Sequence, residues 1–290
     1  MWVLVLHSTL QITYNTIRIQ LKTQHTLIDM IFKPQGYILQ VNSEGYFQNP
    51  FQYQGMEEES KKLLHQICTI ILDSQEPKID SIYVRGSFAS NSQVSNYSDI
   101  DLIIIHTQPL SNLPTSFEWN HQTFKLDISL LDRTDIGNYD KYFGTHFMLK
   151  TQSVCLWGTD RLSEIQDFLA NKNTASKFGR NIPKLISKTK RFVEQEPDED
   201  FPQRTKWIAR ALIRASATLF IAREKIYTRD LVYCYQYFSK YYPQYQEEMK
   251  TLVYQALEPT LAKHELITIL DDFGLRLSGL IDEYYAGESK

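Results

Sequence analysis

The fold is decided by two stretches of sequence, Tyr83-Val84-Arg85-Gly86-Ser87-Phe88 and Asp99-Ile100-Asp101-Leu102-Ile103-Ile104-Ile105. Eleven residues lie between Ser87 of the first stretch and Asp99 of the second. Side chains alternate across a strand, so Asp99 and Asp101 project from one face of the second apolar run. Two neighbouring carboxylates repel each other unless a cation lies between them, and Mg²⁺ binds carboxylates while keeping positions for water and phosphate oxygens. Gly86 lets a phosphate approach the backbone, and Ser87 adds a hydroxyl and an amide donor. The pattern therefore predicts a metal- and phosphate-binding loop between two strands.

The same two carboxylates could instead be a solvent-facing pair on an edge strand. Four apolar residues follow Asp101 at once, which favours a strand buried on both faces. A Gly-Ser followed after a short loop by Asp-x-Asp resembles the nucleotidyltransferase signature of the DNA polymerase β superfamily, here at Gly86, Ser87, Asp99 and Asp101. The resemblance implies an α+β fold, with a nucleotidyltransferase domain of mixed β-sheet and helices followed by an all-helical C-terminal domain.

A third apolar run, Thr123 to Leu131, carries Asp127 in its middle. A charge within such a run is costly unless it has a partner. Asp127 is either a salt-bridged strand residue or a third carboxylate facing Asp99 and Asp101, and the second interpretation is favoured. In the superfamily that the motif resembles, a third acid on a neighbouring strand binds metal or accepts the proton of the attacking hydroxyl.

The composition indicates a globular protein with a real core. The chain has 290 residues, of which 42% are hydrophobic and 13% aromatic, and its net charge of −3 argues against a polyanion binder by bulk electrostatics. Three widely spaced cysteines predict free thiols in a reducing cytoplasm, and the absence of a His-x-x-x-His pair disfavours zinc. The apolar N-terminus is short and lacks a basic start, so neither a signal peptide nor a membrane span is predicted.

The distribution of strand-like and helical patterns along the chain predicts three segments. Residues 1–56 form an N-terminal extension with a β-hairpin turning at Asn42-Ser43-Glu44-Gly45, although Met30 is an alternative natural start. Residues 57–160 form the catalytic domain, beginning with a helix from Glu57 to Leu72. Residues 161–290 lose the strand-like runs and form a helical domain that binds substrate and nucleotide.

The helical segment carries an uneven charge. Between residues 177 and 230 there are thirteen Lys and Arg against seven Asp and Glu. A helix from near Pro202 to about Lys225 would place Lys206, Arg210 and Arg214 in one basic stripe, which is either a solvated face or a site for a triphosphate. Thr228 is the expected N-cap of the next helix, which would place Arg229 unfavourably in its first turn and hint at an anionic ligand.

The order of parts over residues 60–290 resembles the aminoglycoside nucleotidyltransferases, in particular the streptomycin/spectinomycin adenylyltransferases. Lys225 to Asp230 is similar to that family's Gly-Lys-Ile-x-x-Lys-Asp segment, which implies that Arg229 contacts the nucleotide phosphates. The acidic run Glu194 to Asp200 is similar to the segment that holds the ammonium groups of the drug, with Glu199 and Asp200 the nearest matches, or is a solvated acidic loop. One departure is Asp127, where the streptomycin enzymes carry Glu.

These features predict transfer of a nucleoside monophosphate, AMP from ATP, to a hydroxyl of a small cationic acceptor such as an aminoglycoside. Asp99, Asp101 and Asp127 would hold two Mg²⁺ ions. The phosphates would be bound by the residues of the Gly-Ser loop and of the helical domain, namely Gly86, Ser87, Arg210, Arg214 and Arg229. Two alternatives stay open: transfer to tRNA or to a protein side chain, and a nucleotide-binding regulator without turnover. No membrane partner is expected.

Overall fold

The computed structural model describes residues 33–92, 99–179, 181–195, 197 and 199–286. The predictions about the extreme N-terminus, including the alternative start at Met30, lie outside these residues. So do Glu196 and Asp198 of the acidic run. None of the helices in these ranges is long and apolar enough to cross a membrane.

A mixed five-stranded sheet forms the centre of the described structure. Its strands are β2 (Ile79–Arg85), β3 (Ile100–His106), β4 (Ser116–Trp119), β5 (Gln122–Asp132) and β6 (Ser153–Gly158), in the order β4-β5-β3-β2-β6. Strands β3 and β5 are parallel, and the other neighbours are antiparallel. The apolar run after Asp101 is fully buried in β3, as its composition predicts for a strand covered on both faces.

Two apolar layers cover the sheet. Helix α1 (Glu58–Gln75) packs its buried Leu64 and Ile67 against one face, which presents Ile82. A very short helix, α2 (Gly86–Ala89), follows β2, and α3 (Tyr139–Gln152) covers the other face, where Phe147 belongs to the same buried cluster as Tyr83. This second cluster continues without interruption into the helical part of the chain, so the apolar core crosses residue 160.

The C-terminal part is helical, which together with the mixed sheet confirms the predicted α+β fold class. Its helices are α4 (Lys172–Ser176), α5 (Ile182–Gln195), α6 (Phe201–Ala215), α7 (Ile221–Glu224), α8 (Leu231–Tyr241), α9 (Gln246–Leu257), α10 (Lys263–Ile269) and α11 (Leu275–Ala286). A π-helical turn at Leu270–Gly274 joins α10 to α11.

The segment before α1 reaches across to the helical part. Strand β1 (Ile38–Leu39) pairs with β7 (Tyr227–Thr228) in antiparallel register. The predicted turn is present, because the side-chain Oδ1 of Asn42 accepts hydrogen bonds from the backbone N–H groups of Glu44 and Tyr46. The predicted hairpin, however, is reduced to a single bridge between Val41 and Phe47.

Two predicted helix boundaries are wrong. The helix expected to run to about Lys225 ends at Ala215, where a 3-10 turn takes over. There the hydroxyl groups of Ser216 and Thr218 donate to backbone carbonyls three residues earlier, in competition with the regular helical pattern. Lys225 adopts a left-handed conformation (φ +56°) that ends the short α7.

The N-cap of α8 is Asp230 and not Thr228. The Asp230 carboxylate accepts from the N–H groups of Val232 and Tyr233, whereas the Thr228 hydroxyl donates to the Tyr37 carbonyl across the β1–β7 pair. Arg229 therefore precedes the helix, and its charge does not lie in the first turn, where the sequence predicted it.

Candidate active site

A cleft of about 790 Å³ opens where the carboxyl end of β2 and the start of β3 face the helical part. Its walls come from three regions that are far apart in the sequence. The N-terminal segment and the sheet contribute Lys33, Gln35, Gly36, Tyr37, Arg85, Gly86, Ser87, Asp99, Asp101, Asp127 and Gln152; the helical part contributes Arg214, Arg229, Asp230, Leu231, Val232 and Leu257. Such a volume is in the range of small-molecule sites.

Sheet register brings two of the three predicted acids together. Strands β3 and β5 are parallel, and Asp101 lies directly opposite Asp127. One Nη2 nitrogen of Arg85 lies 2.9 Å from Asp101 Oδ1 and 3.6 Å from Asp127 Oδ2, so the two carboxylates share one guanidinium group. Asp99, two residues before Asp101, is exposed and lines the same cleft.

The carboxyl of Asp101 has a perturbed pKa. Burial raises its pKa above the ordinary value, and the carboxylates of Asp127 and Asp99 raise it further, while Arg85 and Arg229 act in the opposite direction. The contributions of Asp99 and Asp127 indicate that both carboxylates act on Asp101 electrostatically. The ionised form of Asp101 is therefore the form that a further cation in the cleft would stabilise.

Gly86 is required by the geometry of the loop after β2. Its φ of +70° lies in the left-handed region, and a Cβ atom placed on it would lie 2.4 Å from Asp101 Oδ2. The loop backbone thus passes in contact with the carboxylate. Ser87 follows in α2 and lines the cleft, so the Gly-Ser pair and the acid pair form one continuous surface.

The opposite wall carries two arginines, Arg214 at the end of α6 and Arg229 before α8. The Nε group of Arg214 donates to the Arg229 carbonyl at 3.3 Å. Burial and the neighbouring Arg229 charge lower the pKa of Arg214 to about 10. Within the described ranges, neither side chain forms an ion pair with a carboxylate. Two adjacent guanidinium groups without an acidic partner, facing a cleft, are typical of an anion site.

Asp230 fastens the N-terminal segment to this wall. One carboxylate oxygen caps α8, and the other accepts from the N–H groups of Gln35 and Gly36 at 2.9 and 2.7 Å. Nearby, the Tyr37 hydroxyl donates to Gln152 Oε1 at 3.0 Å. The N-terminal segment, to which the sequence assigned no function, thus forms part of the cleft wall.

Sequence reasoning missed several cleft residues. Arg85 had a usable signal, because the antiparallel pairing of the strands on either side of the Gly-Ser loop places it opposite Asp101. Asp230 could have been recognised as a helix cap. Lys33 and Gln35 have no such signal, since their place depends on the pairing of β1 with β7.

Three predicted site residues do not line this cleft. Arg210 lies in an adjoining cavity, where its Nε group donates to the Ala256 carbonyl at 3.1 Å. Glu199 and Asp200 are exposed residues that precede α6, whereas Arg214 lies at the other end of that helix. At 1.5 Å per residue the separation from Asp200 to Arg214 is about 20 Å. Glu199 and Asp200 are therefore not neighbours of the Asp101–Asp127 pair.

The donor chemistry of the cleft fits a divalent cation of the Mg²⁺ type, because adjacent carboxylates on a phosphate-accessible loop are the ligands such ions prefer. The positions of the described side chains, however, do not form a complete metal site. No group of three acidic, His or Cys side chains in the described part of the chain is arranged to hold a metal ion. The Arg85 guanidinium contacts Asp101 Oδ1 at 2.9 Å, so a metal ion would compete with it for that oxygen.

No protein-family model and no curated protein matches this chain. Among solved structures, the chain is similar to a nucleotidyltransferase-like protein from Exiguobacterium sibiricum 255-15. The two are 12% identical, with a TM-score of 0.31, and the similarity covers 77% of this chain and 78% of the other.

Proposed function

We propose that the chain is a metal-dependent nucleotidyltransferase that transfers a nucleoside monophosphate, such as AMP from ATP, to a hydroxyl group. The observation that carries the proposal is the placement of Asp101 opposite Asp127 in contact with the Gly86-Ser87 loop, facing Arg214 and Arg229 across one cleft. Carboxylates on one wall and unpaired cations on the other are what a triphosphate bound together with divalent ions requires.

The phosphate chain would lie between the loop and the two arginines. Gly86 leaves room for a phosphate oxygen at the backbone, and Ser87 offers its hydroxyl and amide. Arg214 and Arg229 supply fixed positive charge where the departing pyrophosphate gains negative charge. The lowered pKa of Arg214, about 10, still leaves the group protonated at neutral pH.

The acids have two roles in this proposal. Asp101 and Asp127 are the adjacent pair that would hold Mg²⁺, with Asp99 on the same cleft wall, and the ion would stabilise charge on the attacking and leaving oxygens. Arg85 orients Asp101 and favours its ionised form, because the guanidinium acts against the burial that raises the pKa of this carboxyl. Asp127 is exposed and lies beside Asp101, so its carboxylate can accept the proton of an acceptor hydroxyl that enters from the open side of the cleft.

The structure gives the expected cationic acceptor less support than the sequence did. That expectation depended on Glu199 and Asp200 as contacts for ammonium groups, and these residues lie about 20 Å from the cleft along α6. Transfer to an aminoglycoside stays a prediction that an assay can test directly, and the chemistry of the transfer does not depend on it.

The test is a transfer assay with α-labelled nucleoside triphosphates, Mg²⁺ or EDTA, and separate pools of aminoglycosides, single-stranded nucleic acid and proteins. Asp101→Asn and Asp127→Asn should each lower transfer by at least about 100-fold, as expected for groups that act on the reacting atoms. Glu118→Gln is the matched control, since Glu118 is an exposed acid on β4, one strand beyond β5 and outside the cleft. Retention of wild-type transfer by either Asp variant would refute the assignment.

A further inference from the structure

A second cavity of about 400 Å³ adjoins the cleft and shares two residues with it, Arg214 and Arg229. It extends along α6, away from the sheet. Its lining adds two cations, Lys206 and Arg210, and includes the aromatic side chains of Phe178, Trp207 and Tyr227. The cavity therefore continues the basic wall of the cleft beyond the Asp101–Asp127 pair.

The charge of this cavity is of one sign. Its lining residues include no carboxylate. Among the residues whose positions are described, Lys206 and Arg210 form no ion pair with an acid. They are four residues apart on α6 and so repeat at about 6 Å along the helix, with Arg214 one further step toward the cleft. Three unpaired cations at regular spacing match a ligand with regularly spaced negative charges.

One of the three aromatic side chains of the cavity, Trp207, is exposed. Trp207 lines the cavity and leaves 44% of its surface accessible, which is unusual for so large an apolar side chain. Cations that follow a phosphate backbone, interleaved with an aromatic ring on which a base can stack, are the recurring composition of sites for single-stranded nucleic acid. A small cationic acceptor would be repelled by the same surface.

A nucleoside triphosphate alone does not account for this cavity. Arg214 and Arg229 already face the Gly86-Ser87 loop, whereas Lys206 lies about 12 Å beyond Arg214 along α6. We propose that the groove formed by Lys206, Arg210 and Trp207 binds the 3′ end of a single-stranded nucleic acid, which is the acceptor of the transferred nucleotide. This inference rests on the proposed nucleotidyltransferase function and names its acceptor.

The step balances without any further reactant. The terminal hydroxyl oxygen of the strand attacks the α-phosphorus of the nucleoside triphosphate, and a new P–O ester bond forms. The bond between the α-phosphorus and the bridging oxygen breaks, and pyrophosphate leaves with the electron pair. The hydroxyl proton passes to a carboxylate of the cleft, for which Asp127 is placed, and from there to water.

The test separates the groove from the chemistry. Fluorescence anisotropy would measure binding of labelled single-stranded RNA and DNA oligonucleotides over a range of salt concentrations, and α-labelled nucleoside triphosphates would report extension of each. Lys206→Gln/Arg210→Gln should weaken oligonucleotide binding roughly 10- to 100-fold. It should also reduce the salt slope by about 1.4, the value for two lost contacts to a single strand. Affinity for the triphosphate alone should stay unchanged.

The matched control is Lys184→Gln/Lys188→Gln, an exposed pair with the same spacing on α5, outside both cavities. It should leave binding and salt slope as in the wild type. Trp207→Ala should weaken binding about 5- to 150-fold through the loss of one stacked base, and Trp207→Phe should restore most of it. A fold defect would not be rescued by the smaller ring in this selective way.

Each outcome decides a different point. Extension of RNA or DNA that the groove variants impair and the control does not would support the inference, and the better extended strand would identify its source. Transfer to an aminoglycoside or a protein, with no oligonucleotide binding, would overturn the inference and leave the proposed function standing. Oligonucleotide binding without transfer from any of the four common nucleoside triphosphates would overturn both.

Discussion

Replacing Gly86 with alanine tests whether the loop and the acid pair act as one site. The substitution adds a single methyl group at a φ of +70°, where its position lies 2.4 Å from Asp101 Oδ2 and 3.4 Å from Asp101 Cγ. The next nearest atom, at 3.8 Å, is Cβ of the same residue, so the three closest contacts of the added methyl group are all with Asp101. The change therefore acts on one functional carboxylate and on the local backbone.

The expected cost has two parts. A non-glycine residue in the left-handed region costs about 1–2 kcal/mol. The carboxylate must then move by roughly 1 Å to reach an ordinary contact, which weakens its half-buried ion pair with Arg85 at a cost of about 1–2 kcal/mol. The free energy of unfolding should fall by about 2–4 kcal/mol in total. Transfer activity should fall by about 100-fold or more, because a displacement of this size in a reacting group has that effect.

Two other glycines calibrate the result in chemical denaturation and transfer assays. Gly158 also has a positive φ, but its added Cβ would lie 2.2 Å from the Asp80 carbonyl oxygen, which is backbone and cannot move aside cheaply. Gly158→Ala should therefore cost more stability than Gly86→Ala, with activity lost only in proportion to unfolding. Gly279, within α11, has open space around it, so Gly279→Ala should be neutral or stabilising by up to about 1 kcal/mol.

The ratio of activity to folded protein decides the matter. If Gly86→Ala were folded and its specific activity equalled that of the wild type, contact between the loop backbone and Asp101 would have no catalytic meaning. If Gly86→Ala and Gly158→Ala lost activity in equal proportion to stability, the effect would be general destabilisation.

Three further predictions concern single side chains of the cleft. Because folding raises the pKa of the Asp101 carboxyl, its contribution to stability is present below about pH 3.8 and is lost as the pH rises through the folded-state pKa. In metal-free urea denaturation, Asp101→Asn should therefore gain stability relative to the wild type over this rise in pH. A stability difference that stays constant with pH would refute the direction of the pKa shift. Arg229→Ala should weaken triphosphate binding by about 1.5–3 kcal/mol in calorimetry, since it removes a charge-assisted contact, and unchanged affinity would place Arg229 outside the phosphate site. Asp230→Asn can keep the cap of α8 through its side-chain oxygen, but it presents an NH₂ group to the N–H donors of Gln35 and Gly36. Hydrogen exchange should therefore accelerate at these two amides more than in α8, and equal acceleration would show that the cap had failed.

The sequence predicted those parts of the site that local pattern determines. The apolar runs around Gly86-Ser87 and Asp99-x-Asp101 specify two strands and a loop, and the period of two places both acids on one face. Asp127 was found because a charge inside an apolar run needs a partner. The β3–β5 register places Asp101 beside it, and Arg85 from β2 lies within 3.6 Å of its carboxylate. These are consequences of strand geometry that any sheet containing them must obey.

The parts that failed depend on contacts between distant segments. Lys33 and Gln35 reach the cleft because β1 pairs with β7, almost two hundred residues away, and no local periodicity encodes that pairing. The end of α6 was misjudged because Ser216 and Thr218 bond back to the backbone, a competition whose outcome depends on the packing around them. Glu199 and Asp200 were predicted from the charge of the acidic run and its similarity to a family segment, neither of which fixes a position in space.

The position of each charged residue along α6 determines how far it lies from the cleft. An α-helix has a fixed rise per residue. Because Arg214 lies beside Arg229 and lines the same cleft as the Gly86-Ser87 loop, Arg210 and Lys206 lie at successive steps of about 6 Å along α6, away from the Asp101–Asp127 pair. The acidic residues before the helix are carried to its far end by the same rule. Between Lys206 and Arg229 the residues that line this wall include cations and no carboxylate, which is why the geometry favours an anionic strand over a cationic small molecule.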